Sequence, residues 1–140
     1  MGVIYVARSA SLSNWGSDVG LGKHLFKLGH ADESAEDAVK ELSAAAHAGA
    51  TDWVLVRKDG TADDVDEAGL LARLARKEKI LDTNHYPRLK GAVDIVKVKL
   101  VNVENHRLLK QAYGNETLKV TKLRDADIAA YLIANALGSA

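Results

Sequence analysis

Apolar positions in this chain fall in short runs, and their spacing alternates between the two-residue period of a strand and the three-to-four-residue period of a helix. Val3-Ile4-Tyr5-Val6-Ala7 is a compact apolar run and predicts a first strand. His24 to Gly29 predicts a second, its apolar residues Leu25, Phe26 and Leu28 interrupted by Lys27. Between them Arg8 to Gly22 holds four serines, Asn14 and three glycines, which is loop chemistry, with Trp15 placed to pin the loop to the body. Gly29 marks either a turn or a close approach of backbone.

From Ser34 the period lengthens. Ser34-Ala35-Glu36-Asp37 has the look of a capping box, and Ala38, Val39, Leu42, Ala45 and Ala46 follow at helical spacing, so a helix is expected over 35–48, stopped by Gly49. Residues 52–57 read as a third strand that turns at Lys58-Asp59-Gly60. Residues 63–79 predict a helix striped by Leu70, Leu71 and Leu74, with acids at its start and Arg73, Arg76, Lys77 and Lys79 at its end, as the helix dipole favours. A loop around Pro87 leads to 95–100, where apolar and basic residues alternate and one strand face becomes cationic. Helices are expected over 103–113 and 125–137, with a short extended piece at 117–120 between them. The order predicts a single compact α/β (α+β) domain over 1–140, a small sheet flanked by helices.

Composition narrows the function classes. The 140 residues contain no cysteine, which excludes disulfides and thiolate metal sites, and no run approaches the roughly 18 apolar residues of a membrane span. The start of the chain has no basic segment leading an apolar one, so a cytoplasmic protein without a membrane partner is the expectation. Net charge is zero, yet the charges are segregated: residues 30–67 carry eleven acids against three basic residues, and residues 86–124 carry nine basic residues against three acids. The basic segment could neutralise phosphates, or the two segments could attract each other across the fold.

The two strand segments also carry candidate chemistry, because they set a tyrosine hydroxyl and an ammonium on neighbouring strands. Val3-Ile4-Tyr5 and Lys27-Leu28-Gly29 resemble the two short motifs of the GIY-YIG nuclease superfamily, in particular its phage-associated branch, where lysine often opens the second motif. The resemblance extends over most of the chain in the order of its elements. It implies a small, mainly antiparallel sheet and a hydrolase: a DNA-binding, Mg²⁺- or Mn²⁺-dependent endonuclease acting on phosphodiesters. DNA is favoured over RNA as the partner, and a separate DNA-targeting protein would supply specificity. In the family's division of labour Tyr5 would handle the attacking water, with Lys27 supplying positive charge at the phosphate. Metal and cation together would stabilise charge on the phosphoryl oxygens.

The pattern is incomplete. The family places an arginine on the helix after the second motif, near Ala38 here, and residues 31–50 contain none. Lys40 is the cation available there, without the bidentate grip of a guanidinium, and Arg88 could reach the site from its loop. The family's metal-binding glutamate aligns with Glu104; a shifted register instead matches His106 to a family histidine and puts Asn102, a poor ligand for a hard cation, at that position. Lys90, Lys97, Lys99, Arg107 and Lys110 would follow a nucleic-acid backbone, and His30 and His106 are candidate neighbours of the site.

Each of these residues has a plainer reading. Tyr5 could be a core tyrosine bonded at its rim, and Lys27 could snorkel to solvent from an edge strand. His24, His47 and His85 read as ordinary surface or loop residues, no histidine pair has zinc-site spacing, and Gly20-Leu21-Gly22-Lys23 lacks the remainder of a P-loop. Loss of catalysis in a binding or regulatory module, or an α/β interaction domain unrelated to nucleic acid, are the alternatives.

Overall fold

The computed structural model describes residues 2–22, 24–31, 34–61, 67–76, 78–81, 86, 89, 94–105 and 125–137. Among the described residues five strands and five helices form a small α+β fold: β1 (Gly2–Ser9), α1 (Ala10–Asp18), β2 (Leu25–Ala31), α2 (Ala35–Ala44), β3 (Trp53–Thr61), α3 (Glu67–Leu74), β4 (Lys79–Ile80), β5 (Ile95–Lys97), the helical residues 100–105 as α4, and α5 (Asp125–Ala136). A 3₁₀ turn, His47–Gly49, follows α2. The strand order is β3-β1-β2-β5-β4, and every neighbouring pair is antiparallel. None of the described helices is long and apolar enough to cross a membrane.

Strand β1 lies between β2 and β3, and helices pack against both of its faces, which is why its sequence is a continuous apolar run rather than an alternating one. Ile4, Val6, Phe26, Leu28 and Val96 project to one face and pack with Leu70 and Leu74 of α3, Val103 of α4, and Ile128 and Leu132 of α5. Tyr5, Ala7, Leu25 and Ile95 project to the other and pack with Leu12 of α1, Ala35 and Val39 of α2, and Trp53. Helices therefore cover the sheet on both sides.

Several elements differ from expectation. The serine-rich stretch folds as α1 because its N-terminus is capped twice: Ser9 Oγ accepts from Leu12 N at 3.1 Å and donates to Asp52, whose other oxygen accepts from Ser11 N at 3.0 Å. Leu12, Ser13 and Gly16 form its buried side, and Trp15 meets Tyr86 edge-on at 5.6 Å. Strand β2 runs straight through Gly29, and β3 continues through Lys58-Asp59-Gly60, where a turn is expected, because β1 pairs with it as far as Thr61. A bulge opposite Val6/Ala7 and the charged pair Arg57–Asp59 mark β3 as a protected edge strand.

Helix α2 begins as expected, with Ser34 Oγ accepting from Asp37 N at 3.2 Å, but ends at Ala44. Ala46 and Ala48 then take left-handed conformations, at φ 50° and 54°, on either side of His47. Lys79, expected as the last residue of a helix, instead forms β4 with Ile80. Arg73 does not serve its own helix terminus; its Nε donates to the Ala136 carbonyl of α5 at 2.6 Å. Helix α4 starts ahead of the expected position, anchored by Glu78, which is 4% exposed. The Glu78 carboxylate accepts from Lys99 N at 3.0 Å, Asn102 Nδ2 at 2.9 Å and Tyr131 Oη at 2.8 Å. The extended piece expected at 117–120 lies outside the described residues.

Candidate functional site

Strand register brings the two candidate residues of the first two strands onto one face. Tyr5 is paired with Gly29 and Ala7 with Lys27, and alternate residues of a strand share a face. The Lys27 ammonium lies 5.5 Å from the centre of the Tyr5 ring, within cation–π range. The Tyr5 ring itself covers Gly29, where a Cβ would meet the phenol carbon Cζ at 2.4 Å. The glycine is thus required by a close approach, not by a turn.

Lys27 is not an edge residue that snorkels. Strand β2 has β1 on one side and β5 on the other, and Lys27 is 4% exposed. An ammonium buried this far is tolerable only when paired. Its Nζ lies 2.5 Å from Asp94 Oδ2 and 3.2 Å from Glu67 Oε1. Asp94, immediately before β5, is 6% exposed, and its Oδ1 lies 2.9 Å from His47 Nε2. Five residues from five parts of the chain therefore meet: Tyr5, Lys27, His47, Glu67 and Asp94.

Burial works against ionisation of Asp94, but the His47 hydrogen bond and the Lys27 ammonium outweigh it and hold the carboxyl well below the usual range. Asp94 is thus the charged acceptor, and His47 Nε2 donates. Burial would lower the Lys27 pKa; the charges of Asp94, Tyr5 and Glu67 reverse this and raise it. Glu67 is raised, chiefly by burial, with Lys27 opposing and Asp94 adding to the shift. Tyr5 is raised by burial against the pull of Lys27. The cluster at neutral pH is built on a tight Lys27–Asp94 pair.

His47 is held from both ends. Its ring reaches Asp94, while its carbonyl accepts from Trp53 Nε1 at 3.0 Å. The left-handed alanines on either side cost roughly 1–2 kcal/mol each, a strain that these contacts offset.

The other expected site residues fall elsewhere. His30 is paired with Ile4, which puts it on the opposite sheet face from Tyr5. Glu104 is exposed on α4, the helix whose Val103 packs into that same opposite face. Asn102 is bonded to Glu78. Lys97, paired with Leu25, shares the face of Tyr5 and Lys27, and Lys99 is exposed just beyond it. Arg88, Lys90, His106, Arg107 and Lys110 lie outside the described residues.

A resident Mg²⁺ or Mn²⁺ would need open carboxylate ligands. Among the described residues no three His, Asp or Glu side chains are grouped so as to hold a metal. Glu67 and Asp94 do approach a common point, but the Lys27 ammonium stands there. A divalent ion would have to share that position with a positive charge, so these residues do not fit one.

Sequence reasoning missed His47, Glu67 and Asp94. Asp94 leads directly into a buried apolar strand, which is a signal in itself, whereas Glu67 is one of several acids at a helix start and His47 sits in an alanine-rich stretch. No family model, curated protein or solved structure matches the chain.

Proposed function

We propose that this protein is a nucleic-acid-binding module of GIY-YIG-like organisation that holds phosphates along the β4–β5 edge of the sheet and does not cleave them. One observation carries the reading: Lys79 stands directly opposite Lys97 on the antiparallel β4–β5 ladder. Like charges in directly opposed positions destabilise a sheet, by up to roughly 1 kcal/mol, and an anion bridging the two would reverse that cost. Register with Leu25 sets this pair on the same face as Tyr5 and Lys27, with Lys99 following. Arg88, Lys90, Arg107 and Lys110, in the basic half of the sequence, would extend the phosphate track. Tyr5 and Lys27 serve architecture in this reading, because the ammonium is already matched by two acids. DNA is the favoured partner, with any sequence preference coming from a second protein.

Fluorescence anisotropy with labelled duplex and single-stranded DNA at rising salt tests this. Expected is binding at low salt that weakens steeply as salt rises, with Lys79→Glu/Lys97→Glu lowering the salt slope by about 2, roughly one per lost phosphate contact. Supercoiled plasmid should remain uncut with Mg²⁺ or Mn²⁺. Absence of low-salt binding, or a slope untouched by the double variant, would refute the proposal.

A further inference from the structure

Strained backbone frames a single side chain. Ala46 and Ala48, the two non-glycine residues at positive φ among those described, stand immediately before and after His47. Such strain persists only where surrounding contacts fix it, and it gathers where a side chain has to be held in one place. Here the contacts fix the imidazole. The His47 carbonyl accepts from Trp53 Nε1 at 3.0 Å and from Ala50 N at 3.1 Å, and the two rings lie 5.9 Å apart between centroids. Nε2 donates to Asp94 Oδ1 at 2.9 Å, and Lys27 holds the other oxygen of that carboxylate.

A carboxylate on Nε2 decides the tautomer. The lone pair is left on Nδ1, which has no hydrogen-bond partner among the described residues. The His47 side chain is 20% exposed and that of Asp94 only 8%, so the ring opens to solvent away from its anchored end. This is the orienting half of the aspartate–histidine arrangement of hydrolases, in which the acid fixes the tautomer and stabilises positive charge on the ring. With no hydroxyl or thiol bonded to Nδ1 among the described residues, the nucleophile is the imidazole itself. Acyl transfer would also ask for donors to an oxyanion, whereas phosphoryl transfer asks the acceptor chiefly for position and charge stabilisation.

We propose that His47 is a phosphoryl-acceptor site, taking the group on Nδ1 from a small N-phosphoryl donor, with Asp94 as its positioning residue. The Nδ1 lone pair attacks phosphorus, and the Nδ1–P bond forms as the P–N bond of the donor breaks. The amine leaves with that electron pair. Nε2 keeps its proton, so the ring becomes cationic, and the Asp94 carboxylate stabilises it. This inference does not depend on nucleic-acid binding, and its test reads phosphorus and mass alone.

The test incubates the full chain with phosphoramidate at neutral pH and follows ³¹P NMR, intact mass and the imidazole signals of the five histidines. His47 should be labelled first, at least about tenfold faster than any other histidine. His47→Gln should remove that fast phase. Asp94→Asn keeps an oxygen for Nε2 but not the charge, and should slow labelling of His47 by about tenfold. The ranking within the native chain decides even where a variant fails to fold. The proposal is overturned if the five histidines label at similar rates, if another one leads, or if His47 is not labelled while free imidazole in the same solution is. A fast phase that survives His47→Gln, or a folded Asp94→Asn labelled at the native rate, overturns it too.

Discussion

Tyr5 packs on the backbone of Gly29, its cross-strand partner, so closely that a methyl group there would meet two ring carbons and the hydroxyl oxygen at 2.4–2.8 Å. Aromatic cover of a glycine stabilises strand pairing, and the ring is in turn positioned for the Lys27 ammonium. Gly29→Ala should therefore cost about 1–3 kcal/mol by displacing the ring. In Tyr5→Leu the same substitution should cost less. Urea unfolding of the four members of this cycle measures the coupling.

Separating Lys27 from Asp94 should be costly in either direction. Lys27→Met leaves the buried Asp94 carboxylate without its cation, a loss of about 3–5 kcal/mol; Asp94→Asn, which leaves Lys27 still paired with Glu67, should cost less, and the double variant should recover part of the larger loss. Equilibrium denaturation at neutral pH gives all three values.

Acid should act through the same pair. The Asp94 carboxyl is depressed in the fold, so its stabilising contribution is complete above the ordinary aspartate pKa of about 3.9 and fades as pH falls below it. Raised Lys27 and Tyr5 give the mirror image: what they contribute is complete below about pH 10 and is lost as pH rises further. A plot of unfolding free energy against pH should flatten on its acid side in Asp94→Asn and on its alkaline side in Lys27→Met.

The left-handed alanines offer a gain. Ala46→Gly and Ala48→Gly remove the clash of Cβ at positive φ, and each should raise stability by roughly 0.5–1 kcal/mol after the added flexibility of the unfolded chain. Thermal unfolding is the measurement. The His47 ring should remain on Asp94, so the His47 imidazole signals should shift little.

Glu78 anchors a separate region. Glu78→Ala leaves Lys99 N, Asn102 Nδ2 and Tyr131 Oη without their acceptor and should cost about 2–3 kcal/mol. Hydrogen exchange should accelerate first at the start of α4, at residues 100–105.

The outline of this fold was legible wherever burial alone decides conformation. The run around Val6, the leucine stripe at Leu70 and Leu74, and the Ser34 cap each state their element locally, and the structure has a strand, a helix and a helix start at those places. Helix α1 was not legible, because serine and glycine disfavour helix and the decisive cap comes from Asp52, some forty residues on. The continuation of β3 through Gly60 was hidden for a like reason: pairing with β1 overrides a local turn signal. At the site, Tyr5 and Lys27 could be read from their placement in apolar strands. Their partners could not, since nothing in a single sequence says which of many acids will meet a buried ammonium.

Sequence distance separates the ion cluster's lysine from the acids that match it. Lys27 pairs with β1 through near neighbours, but Glu67 lies 40 positions away and Asp94 lies 67. While a hairpin of the first two strands stands alone, its apolar surface carries an unmatched charge that keeps that face wet. Only when β5 docks on β2 does Asp94 arrive and let water leave. The charge buried by the first two strands is thus matched only by residues far along the chain, so the dry interior of this face is a property of the whole sheet and not of its first hairpin.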